Sequence, residues 1–587
     1  MPNPEKIESA EGPLEGGQGQ QANRRLLFEA RTGPRLRLLF WCLAIALGAL
    51  GVWAHRNEVN PDSISYIEMA EAAAQRGWPA LVNGYWSPLY PLLLGVGLRF
   101  FHPAIYWEFT FVHIVNFVLY LGDLFCFEIF LKELLAARRT EGGLEKGRPV
   151  PERMVWICGY LLFLWSSQFW LGPGMVNPDI IVAGLVYLAT ALLLRISQGK
   201  GTWFLFAGLG VALGAAYLAK TAMFPVSLVF LACGFLLLGR TERSYPNALA
   251  RSALATAVFL SFALPLSLAL SKEKQRVTFG DSGAIAYAEL VNGARMWTHW
   301  QGEPPGTGSP AHPTRKVLAH PPIYEFALPV AGSYPPWYDP SYWYEGIRPH
   351  FSWKGQLWVL FRSANSYLKL FSRSGALYVV FLALIVEVGK AGKWDWGGGL
   401  MSLVWLPSLA ALTMYALVLV EQRYVSPFAV MLLLWVLPSA RLSASKAETL
   451  GKRTAPAAML ALTLAMLWPV ARDLRDTLAN RPYEPWQVAV GLHEMGISPG
   501  ARVGSIGTGL SAYWAHLARV KIIAEVPESE QSSFLAAGSA RKEEALRKFS
   551  ELGVKAVILK NSSAAGSMDG WQEVRGTHYY VWCPAGH

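Results

Sequence analysis

From residue 36 onward, apolar runs of membrane-crossing length alternate with short polar stretches. A membrane helix needs about 20 mostly apolar residues, and such runs cover 36–54, 106–135, 154–171, 179–196, 203–219, 222–239, 251–270, 375–388, 400–420, 424–437 and 455–470. The pattern predicts about eleven spans. Residues 88–101 are apolar but short, which suits a re-entrant or interfacial piece. Between the first two spans, Ile64, Ile67, Met69, Ala70 and Ala74 share one face of a helix over 63–76, expected to lie along the membrane surface.

Two stretches break the spanning pattern. Residues 271–369 are dense in Pro, Tyr, Trp and His, and too polar and proline-rich to span. From 482 the apolar positions change period. ARVGSIG reads as a strand and turn, SAYWAHLA as a helix and VKIIAEV as a second strand. ARKEEALRKFSELG reads as an amphipathic helix, KAVILK as a buried strand and HYYVWC as a last strand. Alternating strands and helices predict a small α/β domain with a largely parallel sheet. The expected fold class is thus an α-helical polytopic membrane protein with a small C-terminal α/β domain. Its division is a disordered tail over 1–23, a transmembrane domain over 24–480 with outward loops at 55–105 and 271–369, and an extracytoplasmic domain over 482–587.

Composition agrees with the membrane reading. Charged residues are 16% of the 587 residues and the mean hydropathy is +0.27, where a soluble chain carries about a quarter charged residues. The net charge of +11 does not point to nucleic acid, because the cations sit in short stretches between apolar runs and not on a folded soluble face. Arg24, Arg25, Arg31, Arg35 and Arg37 precede the first span. Arg138, Arg139, Lys146, Arg148, Arg153, Lys200, Arg240, Arg243, Lys390, Lys393, Arg441, Lys446, Lys452 and Arg453 all fall on the same side. By the positive-inside rule that side is cytoplasmic, and the chain is expected in a bacterial inner membrane. The five cysteines have no CxxC or zinc-finger spacing, so neither a disulfide framework nor a cysteine metal site is expected.

Candidate chemistry gathers at the outward ends of the spans. The tripeptide Asn-Pro-Asp occurs at 60–62 and again at 177–179. Helix capping suits such an aspartate, but a surface helix and an aromatic cluster (Tyr66, Tyr85, Trp86) follow Asp62, which favours a chemical role there. Lys220 and Arg423 are outward cations, against the positive-inside trend, and with two aspartates in the same layer they form a candidate phosphate pocket. His113 and Asn116 are expected to hydrogen-bond between helices, and Asp123 and Glu128 to pair within the bundle. GSIGTG (504–509) lacks dinucleotide-binding spacing and is expected to be a tight turn.

In order and sidedness these features resemble the C-type glycosyltransferases (GT-C fold), most nearly the protein O-mannosyltransferase and lipid A aminoarabinose transferase group. The features that carry the likeness are an outward loop with Asp62, Tyr66 and Ala70, the re-entry WSPLYPLLLG, Asp179 opening the fourth span, Lys220 ending the fifth, and Arg423, Tyr424 and Pro427 opening a late one. Ser63 follows Asp62 where that group has Asp-Glu, and Pro88 stands singly where the group has two prolines. The resemblance implies transfer of a sugar from a polyprenyl-phosphate-linked donor to a glycan, lipid or protein acceptor at the outer face. It implies catalytic Asp62 and Asp179, donor-phosphate contacts from Lys220, Arg423 and Tyr424, and sugar contacts from Tyr66, Tyr85 and Trp86. The metal is unknown, with a divalent cation left open. A lipid or sugar transporter, or an inactive homologue serving as a binding subunit, are the alternatives; the first predicts inverted repeats or helices broken at the midplane, and neither is visible.

The distribution of cations makes the topology testable. A reporter fused after His587 is expected to be active only outside the cytoplasm, and one fused at Lys146 only inside. The reverse at either site refutes the eleven-span arrangement.

Overall fold

In hydrocarbon every backbone N–H and C=O has to be bonded within the segment, so an apolar run of span length folds as a helix. The computed structural model of the chain describes residues 16–141, 148–150, 152–172, 174–295, 299–329, 331–373, 401–436, 441–442, 455–479, 482–507, 509–561 and 570–584. Its first nine helices are α1 (Gly16–Ala54), α2 (Pro61–Arg76), α3 (Leu89–Phe101), α4 (Glu108–Glu141), α5 (Glu152–Trp165), α6 (Asp179–Ser197), α7 (Trp203–Ala219), α8 (Met223–Glu242) and α9 (Tyr245–Glu273). Among the described residues six stretches are long and apolar enough to cross a membrane: Pro34–Ala54, Ile105–Arg139, Glu152–Leu171, Asp179–Ser197, Met223–Glu242 and Tyr245–Glu273. Trp203–Ala219 and Leu403–Ala416 are shorter apolar helices, and the helices Gln422–Val436 and Ala455–Leu478 complete the described bundle. The expected span at 375–388 lies outside the described residues. Helix α1 begins at Gly16, inside the tail expected to be disordered. Leu38 and Leu39 of α1, Val118 and Phe125 of α4, and Leu249 and Leu268 of α9 are exposed, the surface of an integral membrane protein whose apolar sides face lipid.

The bundle is tied inside by few charges. Glu128 pairs with Arg37 of α1 and with Lys132, the latter at 2.8 Å. Asp123 departs from expectation: it is buried against Gly184 of α6, and neither of its oxygens has a hydrogen-bond partner among the described residues. Helix α4 packs along α6 and against α1, and α2 lies on α3. On the cytoplasmic side as read from the sequence, two short strands, β1 (Arg148–Pro149) and β4 (Arg441–Leu442), pair antiparallel.

The sheet-bearing part adds to two expectations. The sheet is mixed, and two of its seven strands come from outside the C-terminal domain. Strands β2 (Arg315–Ala319) and β3 (Pro322–Glu325) belong to the proline-rich segment. Strands β5 (Arg502–Ile506), β6 (Lys521–Val526), β7 (Ala556–Lys560), β8 (Trp571–Glu573) and β9 (Tyr579–Trp582) follow from the domain, in the order β2-β3-β6-β5-β7-β9-β8. Only β6-β5-β7 are parallel. The reason is connectivity. Parallel neighbours need a crossover, which the helices Tyr513–Leu517 and Ser539–Glu551 supply; β2–β3 are joined by a tight turn, and β8 and β9 also pair antiparallel. Alternate residues feed two cores: Ala556 and Ile558 face the membrane side, while Val557 and Leu559 face Ile323, Ile523 and Phe549. The proline-rich segment ends in an amphipathic helix, Trp353–Arg373, with Trp353, Leu357, Trp358 and Phe361 exposed.

Helix α2 has a cover that the pattern did not show: Ile64, Tyr66, Ile67, Met69 and Ala70 are buried in one core that also contains Tyr90, Phe109, Trp337, Trp514 and Ile522. The C-terminal domain roofs it, because the apolar face of the sheet and the apolar face of α2 each need a cover.

Candidate active site

The two Asn-Pro-Asp turns divide the work of starting a helix. In the first, the Asn60 side chain accepts from the backbone N–H of Ser63 at 2.9 Å, and the Ser63 hydroxyl accepts from the backbone N–H of Asn60 at 3.0 Å. That is a capping box, with Pro61 preset for the first turn. In the second, the Asn177 side chain accepts from the backbone N–H of Asp179 at 3.0 Å. Asn60 thus caps α2 and Asn177 binds the N–H that opens α6, and neither aspartate carboxylate is used for this. The Ser63 hydroxyl also reaches Val176 O, at 3.3 Å, and so links the turns. Helix α4 holds both: a ring nitrogen of His113 lies 2.8 Å from Glu58 O, and the Asn116 amide donates to Met175 O at 3.1 Å. Tyr90 donates to the Asn116 carbonyl at 2.7 Å. The expected bond between helices is made by Asn116, which accepts from Tyr90 of α3; His113 bonds instead to the loop before α2, so that the two residues hold the two turns.

Two cations meet these carboxylates. Lys220 caps the end of α7 in extended backbone, and the next residue, Thr221, donates its N–H to Ser87 at 3.0 Å. The Lys220 ammonium lies 2.6 Å from Asp179 Oδ1 and 3.2 Å from the centre of the Tyr424 ring, a cation held by a carboxylate and an aromatic face together. Arg423 opens the helix Gln422–Val436. Its guanidinium lies 2.9 Å from Asp62 Oδ2, 3.7 Å from Asp179 Oδ2 and 3.3 Å from the Tyr424 hydroxyl. Four elements distant in sequence therefore bring Asp62, Asp179, Lys220, Arg423 and Tyr424 into one network with two charges of each sign. Asp179 is buried and the other four are half-buried, so removing one member leaves its partner only partly compensated by water and destabilises the rest.

The aromatic set lies beside it. Tyr66 meets Trp86 edge-on at 5.1 Å and Tyr90 at 5.2 Å, and Trp86 meets Tyr85 at 4.6 Å and Trp337 at 5.4 Å. The Trp86 indole donates to Trp337 O at 3.0 Å. Tyr66 and Trp86 are buried and Tyr85 half-buried, so of the three rings Tyr85 is the one with a face nearer solvent.

A second charged cluster, on the other side of α2, has no signal in sequence spacing. His516 in the helix Tyr513–Leu517 lies with Nδ1 3.2 Å from Glu68 Oε1 and Nε2 2.8 Å from Glu108 Oε2. Arg519 lies 2.6 Å from Glu71 and 3.6 Å from Glu108. Burial works against the charged imidazole, but Glu108, Glu68 and Glu71 outweigh it and push His516 up to about 10; burial pushes Glu71 up to about 7. Among the described residues Glu71, Glu108 and His516 are the one set whose potential ligand atoms lie within 4.8 Å of one another. Arg519 and the charged imidazole already bring two positive charges to the three carboxylates of this cluster. At the exit of β5, Gly507 sits at φ +112°, and residue 508 of the expected turn lies outside the described residues.

No protein-family model matches the sequence, and no curated protein matches it. In structure the chain is similar to ArnT from Cupriavidus metallidurans in the apo state, with 14% identity and a TM-score of 0.52 over 94% of this chain and 98% of that one. It is similar to the same protein bound to undecaprenyl phosphate, with 13% identity and a TM-score of 0.53 over 93% and 97%. The apo oligosaccharyltransferase of Archaeoglobus fulgidus matches with 12% identity and a TM-score of 0.44 over 88% of this chain and 69% of that one. The likeness to ArnT is one of fold, and it is the GT-C fold whose resemblance the sequence carries.

The His516 cluster makes domain docking depend on pH. A group whose value is raised on folding stabilises fully below its unfolded value and loses that contribution as pH rises through the folded one. The contribution of Glu71 is therefore complete below about 4.5 and gone above about 7, and that of His516 is complete below about 6.5 and gone above about 10. Limited proteolysis between the membrane bundle and residues 482–587 is expected to accelerate as pH rises from 6 to 10, and His516→Gln to remove the upper part of that dependence. A flat profile in the natural protein refutes the assignment.

Proposed function

We propose that this chain transfers a sugar from a polyprenyl-phosphate-linked donor to an acceptor at the outer face of the membrane, by an inverting displacement with Asp62 as base. The observation that carries the reading is the Asp62–Arg423–Asp179–Lys220 network, set on Tyr424 at the outward ends of the spans. The fold supports it, since ArnT, which shares the fold, has been crystallised with undecaprenyl phosphate.

The chemistry follows from what the charges can exchange. In the free protein Arg423 and Lys220 are neutralised by the aspartates. A carrier phosphate competes for the same cations, and a guanidinium offers it two parallel donors. As Arg423 turns to the phosphate, Asp62 Oδ2 loses its partner and becomes free to accept the proton of an acceptor hydroxyl. The hydroxyl oxygen bonds to the anomeric carbon as the bond from that carbon to the carrier phosphate breaks. The phosphate leaves with its electron pair, its charge met by Arg423 and Lys220. Asp179 keeps Lys220 in place, and Tyr424 supplies a face to both cations. Tyr85 is the ring placed to stack on the sugar. A transporter would instead gather its polar groups near the bilayer midplane, whereas these five residues gather at one rim.

Replacing Asp62 by Asn removes the base and also frees Arg423. Asp62→Asn is therefore expected to lower turnover by roughly 10²–10⁴-fold while undecaprenyl phosphate binds at least as tightly as to the natural protein. Near-normal transfer would sink the assignment of the base.

The cations predict the opposite pattern. Lys220→Ala and Arg423→Ala are expected to weaken undecaprenyl phosphate binding by roughly 1.5–3 kcal/mol each. Arg423→Lys should weaken it too, because an ammonium lacks the two-pronged contact. Unchanged affinity in all three variants, measured in detergent, would remove the phosphate pocket.

A further inference from the structure

Helix α2 is gripped on two sides. Asp62 and Tyr66 lie about 40° apart around its axis, Glu68 and Glu71 lie about 60° apart, and the two pairs face opposite directions. The first pair looks into the charged network at the membrane rim. The second is held by the C-terminal domain. His516 spans Glu68 on α2 and Glu108 at the start of α4, and Arg519 spans Glu71 and Glu108. Glu68 also accepts the backbone N–H of Ser333 at 2.9 Å, and Ser333 O in turn accepts from Ile522 N in β6 at 2.9 Å. The ring of Phe109 stacks on His516 at 6.0 Å. The side chains of His516 and Glu108 are almost wholly buried, so these are contacts without water to replace them.

Arg519 carries a further sign of purpose in its backbone. It follows the helix Tyr513–Leu517 at φ +56°, a left-handed position where a helix usually ends in glycine. The arginine side chain that this position retains is the one that reaches Glu71.

We propose that the C-terminal domain is a positioning part of the transferase: through His516 and Arg519 it fixes the roll and depth of α2, and so holds Asp62 at the height of Arg423. The inference rests on Asp62 being the base, but its structural half does not. Roll of α2 by even one residue's angle would carry Asp62 out of reach of Arg423; on the Asp62 face Tyr66 packs on Trp86 and Tyr90, but the ion pair that ties Asp62 itself is the one the carrier phosphate must disrupt. The clamp on the opposite face supplies the resistance while that pair is open.

The test uses the full-length protein in detergent with Arg519→Glu, Glu71→Arg and the double swap, and the milder Arg519→Gln and Glu71→Gln should a reversal fail to fold. Three quantities are read: hydrogen exchange of residues 61–76, affinity for undecaprenyl phosphate, and turnover. The turnover donor is the lipid-linked sugar that accumulates in a strain lacking the protein, and the acceptor is the envelope of that strain. Each single variant is expected to speed exchange at 61–66 and to lower turnover by about tenfold or more, with carrier affinity held within about twofold, the split expected of a residue that acts on the reacting geometry alone. The double swap is expected to restore both exchange and turnover, since the pair acts through mutual contact. Unaltered exchange and turnover in the singles overturns the proposal. So does a swap that restores neither, or a parallel loss of affinity and turnover with faster exchange along the whole chain. If the natural protein transfers no sugar, the functional reading has failed, and exchange at 61–66 still decides whether the clamp holds α2.

Discussion

A charge at the border between hydrocarbon and water has to be neutralised where it sits, because moving it outward is closed off by the fold and leaving it bare is too costly. That requirement organises the half of this molecule next to the sheet. Asp62 and Asp179 begin two different helices, and Lys220 and Arg423 end or begin two others. Once the four charges meet, those helix ends are fixed relative to one another more tightly than apolar packing alone would fix them, since dispersion has no preferred direction and an ion pair does. The loops that precede the aspartates are then held from behind by His113 and Asn116 of α4.

How much of this could be read beforehand depended on whether the signal was local. The two Asn-Pro-Asp turns repeat within the chain, and Lys220 and Arg423 violate a rule of sidedness, so each marked itself without knowledge of its partner. What the pattern left open was the division of labour inside the turn: Asn60 caps α2 and Asn177 binds the N–H of Asp179, which a sequence shows only as a tripeptide. Tyr66 and Trp86 were legible as aromatic but not as buried, because their cover, Trp337, lies about 250 residues away on a proline-rich segment with no helical or strand period.

The parts that escaped the sequence reading are all closed by distant chain. His516 and Arg519 are ordinary residues of a short helix and its exit, and Glu68 and Glu71 are ordinary polar positions of an amphipathic one. Their meeting across more than 400 residues leaves no spacing to detect. The sheet failed in the same way. Its parallel centre was readable from alternating strands and helices, but β2 and β3 arrive from the segment between the bundle and the domain, and they pair antiparallel with each other and with β6. With that hairpin in the sheet, residues 482–587 do not contain all of the domain's core. Ile323 sits among Ile523, Phe549 and Val557.

That shared sheet changes what the domain is to the rest of the protein. A domain joined by a linker alone moves independently of its base, and its contacts with α2 would then come and go. Here β3 lies between β2 and β6; just past it the Phe326 N–H donates to Ile523 O, and Ser333, seven residues on, bonds both Ile522 and Glu68. The roof over α2, the hairpin at the edge of the sheet and the pins at His516 and Arg519 thus form one body. A rigid body on one face of a helix and an exchangeable ion pair on the other is the arrangement in which a substrate can replace a protein charge without the helix following it. On the proposed reading, the resting site is neutral because its cations must be stored before the phosphate arrives. It stays assembled when they are given up because α2 is held from the other side.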